Sequence, residues 1–296
     1  MNSDSRQDAL VRAMPVVFVL IWSTGFIVAR FGMPHAPPMK FLAVRYFFSV
    51  LCFIVWAVAA GVPLVPSSVR QARHLAVTGI LMHAGYLGGV WAAVKLGMGA
   101  GLVALLVGLQ PVLTAIWVSS RGGQVSTRQW AGLALGFTGL ALVVWQKLGV
   151  GEIHGINFLL ALGALLSITA GTLYQKRFLE PCDVPTASLV QLSAAFLVTL
   201  PLTLLEHEAM HWNAQLIGSM AWSVLALTLG GSSLLYLLIQ RGAATAVTSL
   251  LYLVPPCTAV MAWMLFGEAI TVFTIAGIGL TAVGVSLVVR SPSPRP

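Results

Sequence analysis

The sequence predicts an all-α integral membrane protein of ten transmembrane helices, arranged as two inverted five-helix repeats. Three observations carry that prediction. Of 296 residues, 58% are hydrophobic and only 8% charged, whereas a water-exposed domain needs roughly a quarter of its positions charged. Apolar stretches long enough to cross a bilayer, roughly 20 residues each, recur ten times. The second half also repeats features of the first at a fixed offset of 145 residues.

The expected spans are 14–33, 41–60, 74–94, 99–119, 130–146, 156–175, 187–206, 217–239, 244–266 and 270–289. The first follows a charged segment, Met1 to Ala13, with no small-residue cleavage pattern behind it, so it reads as a retained helix and not a signal peptide. The second follows Pro37-Pro38, the fourth contains Gly108-Leu109-Gln110-Pro111, and the seventh runs into Glu206, His207 and Glu208. The ninth contains Val254-Pro255-Pro256, and the tenth follows Phe266-Gly267-Glu268. Each span should be a helix, because a backbone polar group left unpaired in hydrocarbon is costly, and barrel strands would be shorter and alternating. The remaining residues, about 96 after ten spans of roughly 20, leave no loop long enough for a separate soluble domain. Function must therefore be built among the helices.

The chain divides into an N-terminal segment 1–13, a first repeat 14–146, a second repeat 156–289 and a Ser/Pro-rich tail 290–296 expected to be disordered. The ungapped offset matches Leu105, Leu106, Pro111, Gly122, Gly132 and Gly139 to Leu250, Leu251, Pro256, Gly267, Gly277 and Gly284. Leu and Val coincide easily in apolar helices, so the weight rests on the Pro and Gly positions. An odd number of helices per repeat makes the second copy enter from the opposite face, the inverted arrangement that recurs in secondary transporters.

The formal charge of +8 is scattered between the apolar stretches. It therefore reads as orientation signals, not as a nucleic-acid surface. Eleven Lys and Arg fall on the N-terminal side against five on the other, Arg30, Lys40, Arg45, Lys95 and Lys147. The excess predicts both termini in the cytoplasm, in a bacterial-type cytoplasmic membrane. Cys52, Cys182 and Cys257 show no paired spacing, so neither a disulfide framework nor a metal site is expected, and no cofactor is called for. Aspartate pairs, HExxH and Gly-x-Ser-Gly are absent, which argues against a membrane enzyme and leaves no catalytic residue to name.

In inverted-repeat carriers, interrupted helices at matching places in both halves point to the substrate site. Pro111 and Pro256 are such a pair, and the backbone bonds lost at the prolines should free the carbonyls of Val107, Leu251 and Tyr252. Simple helix kinks for packing are the other reading. Polar and aromatic side chains expected at mid-depth are Trp22, Thr24, His83, Tyr86, Gln110, Ser167, Thr169, Tyr236, Ser249 and Tyr252. Together with Pro111 and Pro256 they form the candidate substrate-binding set. His83 is the imidazole placed at mid-depth: it either relays protons or binds a carboxylate, or it holds a neighbouring helix. Gly85 with Gly89, Gly97 with Gly101, and Gly132 with Gly136 have spacings that suit close helix approach.

Trp22-Ser23-Thr24-Gly25-Phe26, Arg45-Tyr46-Phe47, Lys95-Leu96-Gly97, Tyr174-Gln175-Lys176-Arg177-Phe178, Gln240-Arg241-Gly242, Val254-Pro255-Pro256 and Phe266-Gly267-Glu268 occur in that order. In this the chain resembles the ten-helix EamA-type exporters of the drug/metabolite transporter superfamily over nearly its full length, and is similar in layout to amino-acid exporters of the YddG type. The resemblance implies a five-plus-five bundle with a central cavity, exporting small metabolites by alternating access. An uncharged cavity of Trp, Tyr, His and hydroxyl groups suits a neutral amino acid or similar metabolite. A broad drug exporter is the alternative, and a receptor or scaffold fits the paired proline breaks less well. The expected partners are that small molecule and the lipid bilayer, and a monomeric form is compatible with the sequence.

Overall fold

The computed structural model describes residues 3–122, 126–149, 151–231, 234 and 253–289. Among the described residues the fold is helical throughout, without a strand. The helices are α1 (Ser3–Gly32), α2 (Pro38–Ala60), α3 (Val69–Lys95), α4 (Ala100–Val107), α5 (Gln110–Ser120), α6 (Thr127–Gly149), α7 (Gly155–Phe178), α8 (Val184–Leu202), α9 (Ala214–Gly231), α10 (Val254–Phe266) and α11 (Val272–Val289). Six described stretches are long and apolar enough to span a bilayer: Pro38–Ala60, Val69–Lys95, Ala100–Trp117, Gly155–Phe178, Val184–Leu205 and Ala214–Gly231. Val16–Gly32, Val254–Phe266 and Val272–Leu287 are shorter apolar helices. Exposed side chains such as Val55, Val58, Leu159, Leu197 and Val272 give these helices an outer surface suited to lipid.

α1 starts at Ser3, so the charged segment expected to be a tail continues the first helix. Two prolines sit where their missing N–H costs little: Pro38 opens α2 and Pro255 lies in the first turn of α10. Gly61, Gly97, Gly122 and Gly267 take positive φ after α2, α3, α5 and α10, ending each helix in a conformation that other residues adopt only with strain. Gly97 is thus a terminator and not the close-approach position its spacing with Gly101 suggests.

The chain forms two compact units, Met1–Ile27, Ala100–Gly149 and Gly230–Pro296 in one, and Val28–Gly99 and Val150–Leu229 in the other. In the first unit, α6 and α11 pack through glycine. A methyl group built on Gly139 would lie 2.5 Å from the Gly277 carbonyl oxygen, and one on Gly284 would lie 2.5 Å from the Gly132 carbonyl oxygen. Thr281 Oγ1 also donates to the Gly136 carbonyl at 3.5 Å. These contacts run in opposite directions along the two helices, so α6 and α11 are antiparallel.

In the second unit, α3 packs on α7 and α8. Gly79 lies against the Gln191 backbone, Gly85 against Ser167, and Gly89 against Leu160 and Ala164. α3 contains a π-helical turn, Ile80–Gly85, and α9 ends in another, Ser223–Gly231. A π turn shifts the backbone pairing by one residue and lets carbonyls point at neighbouring helices. The Leu81 carbonyl accepts from Ser167 Oγ at 2.8 Å and the His83 carbonyl from Tyr46 Oη at 2.9 Å.

Candidate substrate site

The first unit brings the two proline segments together. α4 stops at Val107, Gly108 and Leu109 form a turn, and α5 resumes at Gln110. Pro111 has no N–H to offer the Val107 carbonyl four residues earlier. A methyl group on Gly108 would lie 3.0 Å from Pro255 Cγ, so glycine permits the approach. Gly108, Pro255, Pro256, Ile278, Thr281, Ala282 and Val285 line a small crevice of about 10 Å³ there, far below the roughly 300 Å³ at which ligand pockets usually begin.

Of the other expected residues in this unit, Trp22 is half-buried and packs against Phe18 with ring centroids 5.3 Å apart. Thr24 Oγ1 donates to the Ile21 carbonyl of its own helix at 2.5 Å. Buried Ser23 offers its carbonyl to Thr258 Oγ1 at 3.3 Å, which links α1 to α10. Gln110 opens α5 and is half-buried, its carbonyl accepting from Thr114 Oγ1 at 2.9 Å. Glu268, expected only at a helix end, accepts from the Ala100 and Gly101 amides at 3.0 and 3.4 Å. It neutralises the free N–H groups at the start of α4. Tyr236, Ser249 and Tyr252, and with them the carbonyls of Leu251 and Tyr252, lie outside the described residues.

The second unit holds His83, Tyr86, Ser167 and Thr169. The His83 imidazole pairs with the Gln191 side chain of α8 and stands edge-on to Tyr46 at 6.2 Å. Ser167 is spent on the α3 π turn, and Thr169 Oγ1 donates to the Leu165 carbonyl of its own helix at 2.6 Å. Tyr86 is 6% exposed.

Arg45 corrects the sequence reading. It is counted there among the loop cations, whereas the structure places it in α2, about 10 Å along the helix from Pro38 at 1.5 Å per residue. It is 6% exposed. Its Nε and Nη2 donate to Thr228 Oγ1 at 3.3 and 3.1 Å, and Cζ lies 6.0 Å from the Trp91 ring centroid. Tyr46, Tyr86 and His83 are all within its electrostatic reach. Arg45 thus sets a buried cation beside His83 and Tyr86, two of the residues expected around an uncharged cavity. A signal was available, since Arg45 falls inside the apolar run 41–60 and an ionisable residue within a span is a functional candidate by default. Lys147, also counted as a loop cation, is likewise buried, in the last turn of α6.

One end of the second unit carries a polar cluster. Glu206 accepts from the Met39 and Lys40 amides at 2.8 Å each, capping α2. Lys95 Nζ pairs with Glu208 at 2.6 Å and donates to the Met33 carbonyl at 3.1 Å, while Lys40 Nζ donates to the Glu208 carbonyl at 2.6 Å. The hydrogen bond from Lys95 and its charge hold the Glu208 carboxyl below the usual glutamate range.

Helical fold, apolar outer surface and ionisable groups buried within spans define a multi-pass helical membrane protein. The chain belongs to the EamA-like transporter family, whose sequence pattern matches residues 13–145 and again residues 155–290. It is thus a transporter rather than an enzyme. Among its relatives, a probable amino-acid metabolite efflux pump of Salmonella typhimurium is 26% identical over 95% of this chain and 94% of its own length. The transporter YvbV of Bacillus subtilis is 26% identical over 91% and 88%, and the inner membrane transporter YedA of Escherichia coli is 24% identical over 91% and 87%. A solved crystal structure shares the fold, with a TM-score of 0.66 at 18% identity over 93% of this chain and 95% of that one.

Proposed function

We propose that this protein is a secondary exporter of neutral amino acids and related small metabolites, working by alternating access in a bacterial inner membrane with both termini cytoplasmic. The bundle is read as ten helices in two inverted repeats, 14–146 and 156–289. One observation carries this reading. Under the 145-residue offset, Gly132 corresponds to Gly277, Gly136 to Thr281 and Gly139 to Gly284. Gly139 packs on Gly277, Gly284 on Gly132, and Gly136 on its own counterpart Thr281. A local two-fold axis between Gly136 and Thr281, perpendicular to two antiparallel helices, produces this crossed pairing. An axis lying in the membrane plane is what inverted copies need to give two near-equivalent states, one open to each side.

The substrate-contacting residues proposed in the first unit are Trp22, Thr24, Gln110, Pro111 and Pro256, with Tyr236, Ser249 and Tyr252 from the sequence. In the second unit they are His83, Tyr86, Ser167 and Thr169. The relatives' names as amino-acid metabolite efflux pumps support the substrate class. Counterflow in proteoliposomes, using radiolabelled methionine, threonine and phenylalanine with a cationic dye in parallel, tests it. Exchange of amino acids is expected. Dye movement without amino-acid exchange would favour a broad drug exporter, and movement of neither rejects the reading.

A further inference from the structure

We propose that Arg45 is the fixed cation that receives a single carboxylate of the transported molecule, so that substrates are amino acids or other monocarboxylates; this rests on the transport reading above. Arg45 is nearly sealed from solvent, and among the described residues of its own unit no carboxylate pairs with it. The ion pair Lys95–Glu208 lies at the end of this unit and does not include Arg45. The sequence has eight acidic residues. Asp4 and Asp8 lie in the first turns of α1, Glu152, Glu180 and Asp183 lie between helices, and Glu206, Glu208 and Glu268 are engaged as described. None of the five in the second unit, Glu152, Glu180, Asp183, Glu206 and Glu208, pairs with Arg45.

The hydrogen bonding is equally incomplete. A guanidinium offers five N–H donors, and both of its bonds go to a single oxygen, Thr228 Oγ1. That hydroxyl spends its own proton on the Ser223 carbonyl at 2.8 Å, so it can only accept from Arg45. Thr228 is therefore a positioning residue that fixes one edge of the fork, while Nη1 makes no hydrogen bond among the described residues. A ring 6.0 Å away compensates the charge only weakly. What the group still needs is one negative charge with two planar acceptors, which is the geometry of a carboxylate. The flanking side chains, Tyr46, Tyr86, His83 and Trp91, bring no second cation, so a monoanion fits better than a phosphate dianion.

The test uses the wild-type protein and Arg45→Gln, each in nanodiscs for equilibrium dialysis and in proteoliposomes for counterflow. The probes are phenylalanine, methionine and threonine, their carboxamides, and inorganic phosphate. Wild-type protein should bind at least one amino acid, at least tenfold more tightly than its carboxamide, and Arg45→Gln should lose that preference while keeping its thermal midpoint. Arg45→Lys should restore part of the binding, because it returns the charge without the fork. Equal binding of acid and carboxamide by the wild type overturns the proposal even where Arg45→Gln does not fold, as do unchanged acid binding in a folded Arg45→Gln, absence of any amino-acid binding, or tighter binding of phosphate. Carboxylate-selective binding without counterflow overturns the transport reading alone.

Discussion

Replacing Gly284 by alanine tests the α6–α11 seam directly. The added methyl would lie 2.5 Å from the Gly132 carbonyl oxygen, 2.5 Å from the Gly136 nitrogen and 3.0 Å from Gly136 Cα, all backbone atoms that cannot rotate away. Since non-bonded heavy atoms settle near 3.5 Å or beyond, the helices must separate by about 1 Å. Overpacking of this kind costs about 1–3 kcal/mol. Gly279 lies on the same helix with nothing within 4 Å of its added methyl, so it isolates the steric effect from helix propensity. There alanine should be neutral or stabilise by up to about 1 kcal/mol. Thermal unfolding of purified protein in one detergent should place Gly284→Ala well below wild type, Gly139→Ala close to it, and Gly279→Ala at or above wild type. Equal midpoints for Gly284→Ala and Gly279→Ala would refute the seam.

Three further outcomes are expected. Tyr46→Phe removes a buried hydroxyl that donates to the His83 carbonyl of the π turn and should destabilise by about 1–3 kcal/mol, read by the same unfolding assay. Glu206→Ala strips the cap from two amides of α2 and should cost about 1 kcal/mol, with Glu206→Gln intermediate. The Glu208 carboxyl is held down by Lys95, so the pair's contribution is present above the ordinary glutamate range and is lost as pH falls through the lowered value. Glu208 is exposed, so that contribution is small and should vanish in high salt; an acid-side loss of stability that is identical in Glu208→Gln contradicts it.

Most of the helices were legible because the bilayer leaves one solution for an apolar run of spanning length. Pro37-Pro38, Gly108-Leu109 and Gly267 mark real ends or turns for local backbone reasons that a single sequence displays. The π turns were not legible: Ile80–Gly85 is held by Ser167 and Tyr46 from other helices, and no local pattern announces such partners. The same limit explains the candidate site. Polarity at mid-depth picks out Ser167 and Thr169 but does not show that both hydroxyls are spent on backbone carbonyls. For Arg45 the place inside the run 41–60 is legible, whereas its partners Thr228 and Trp91 come from distant segments and are not.

The grip of Glu268 on the start of α4 constrains how the first unit can rearrange. With its two oxygens on the Ala100 and Gly101 amides, the corner leading from α10 toward α11 and the foot of α4 travel as one piece. Bending is then expected further along, and among the described residues of that unit the unwound step at Gly108 and Leu109, where regular pairing is already broken, is the natural joint.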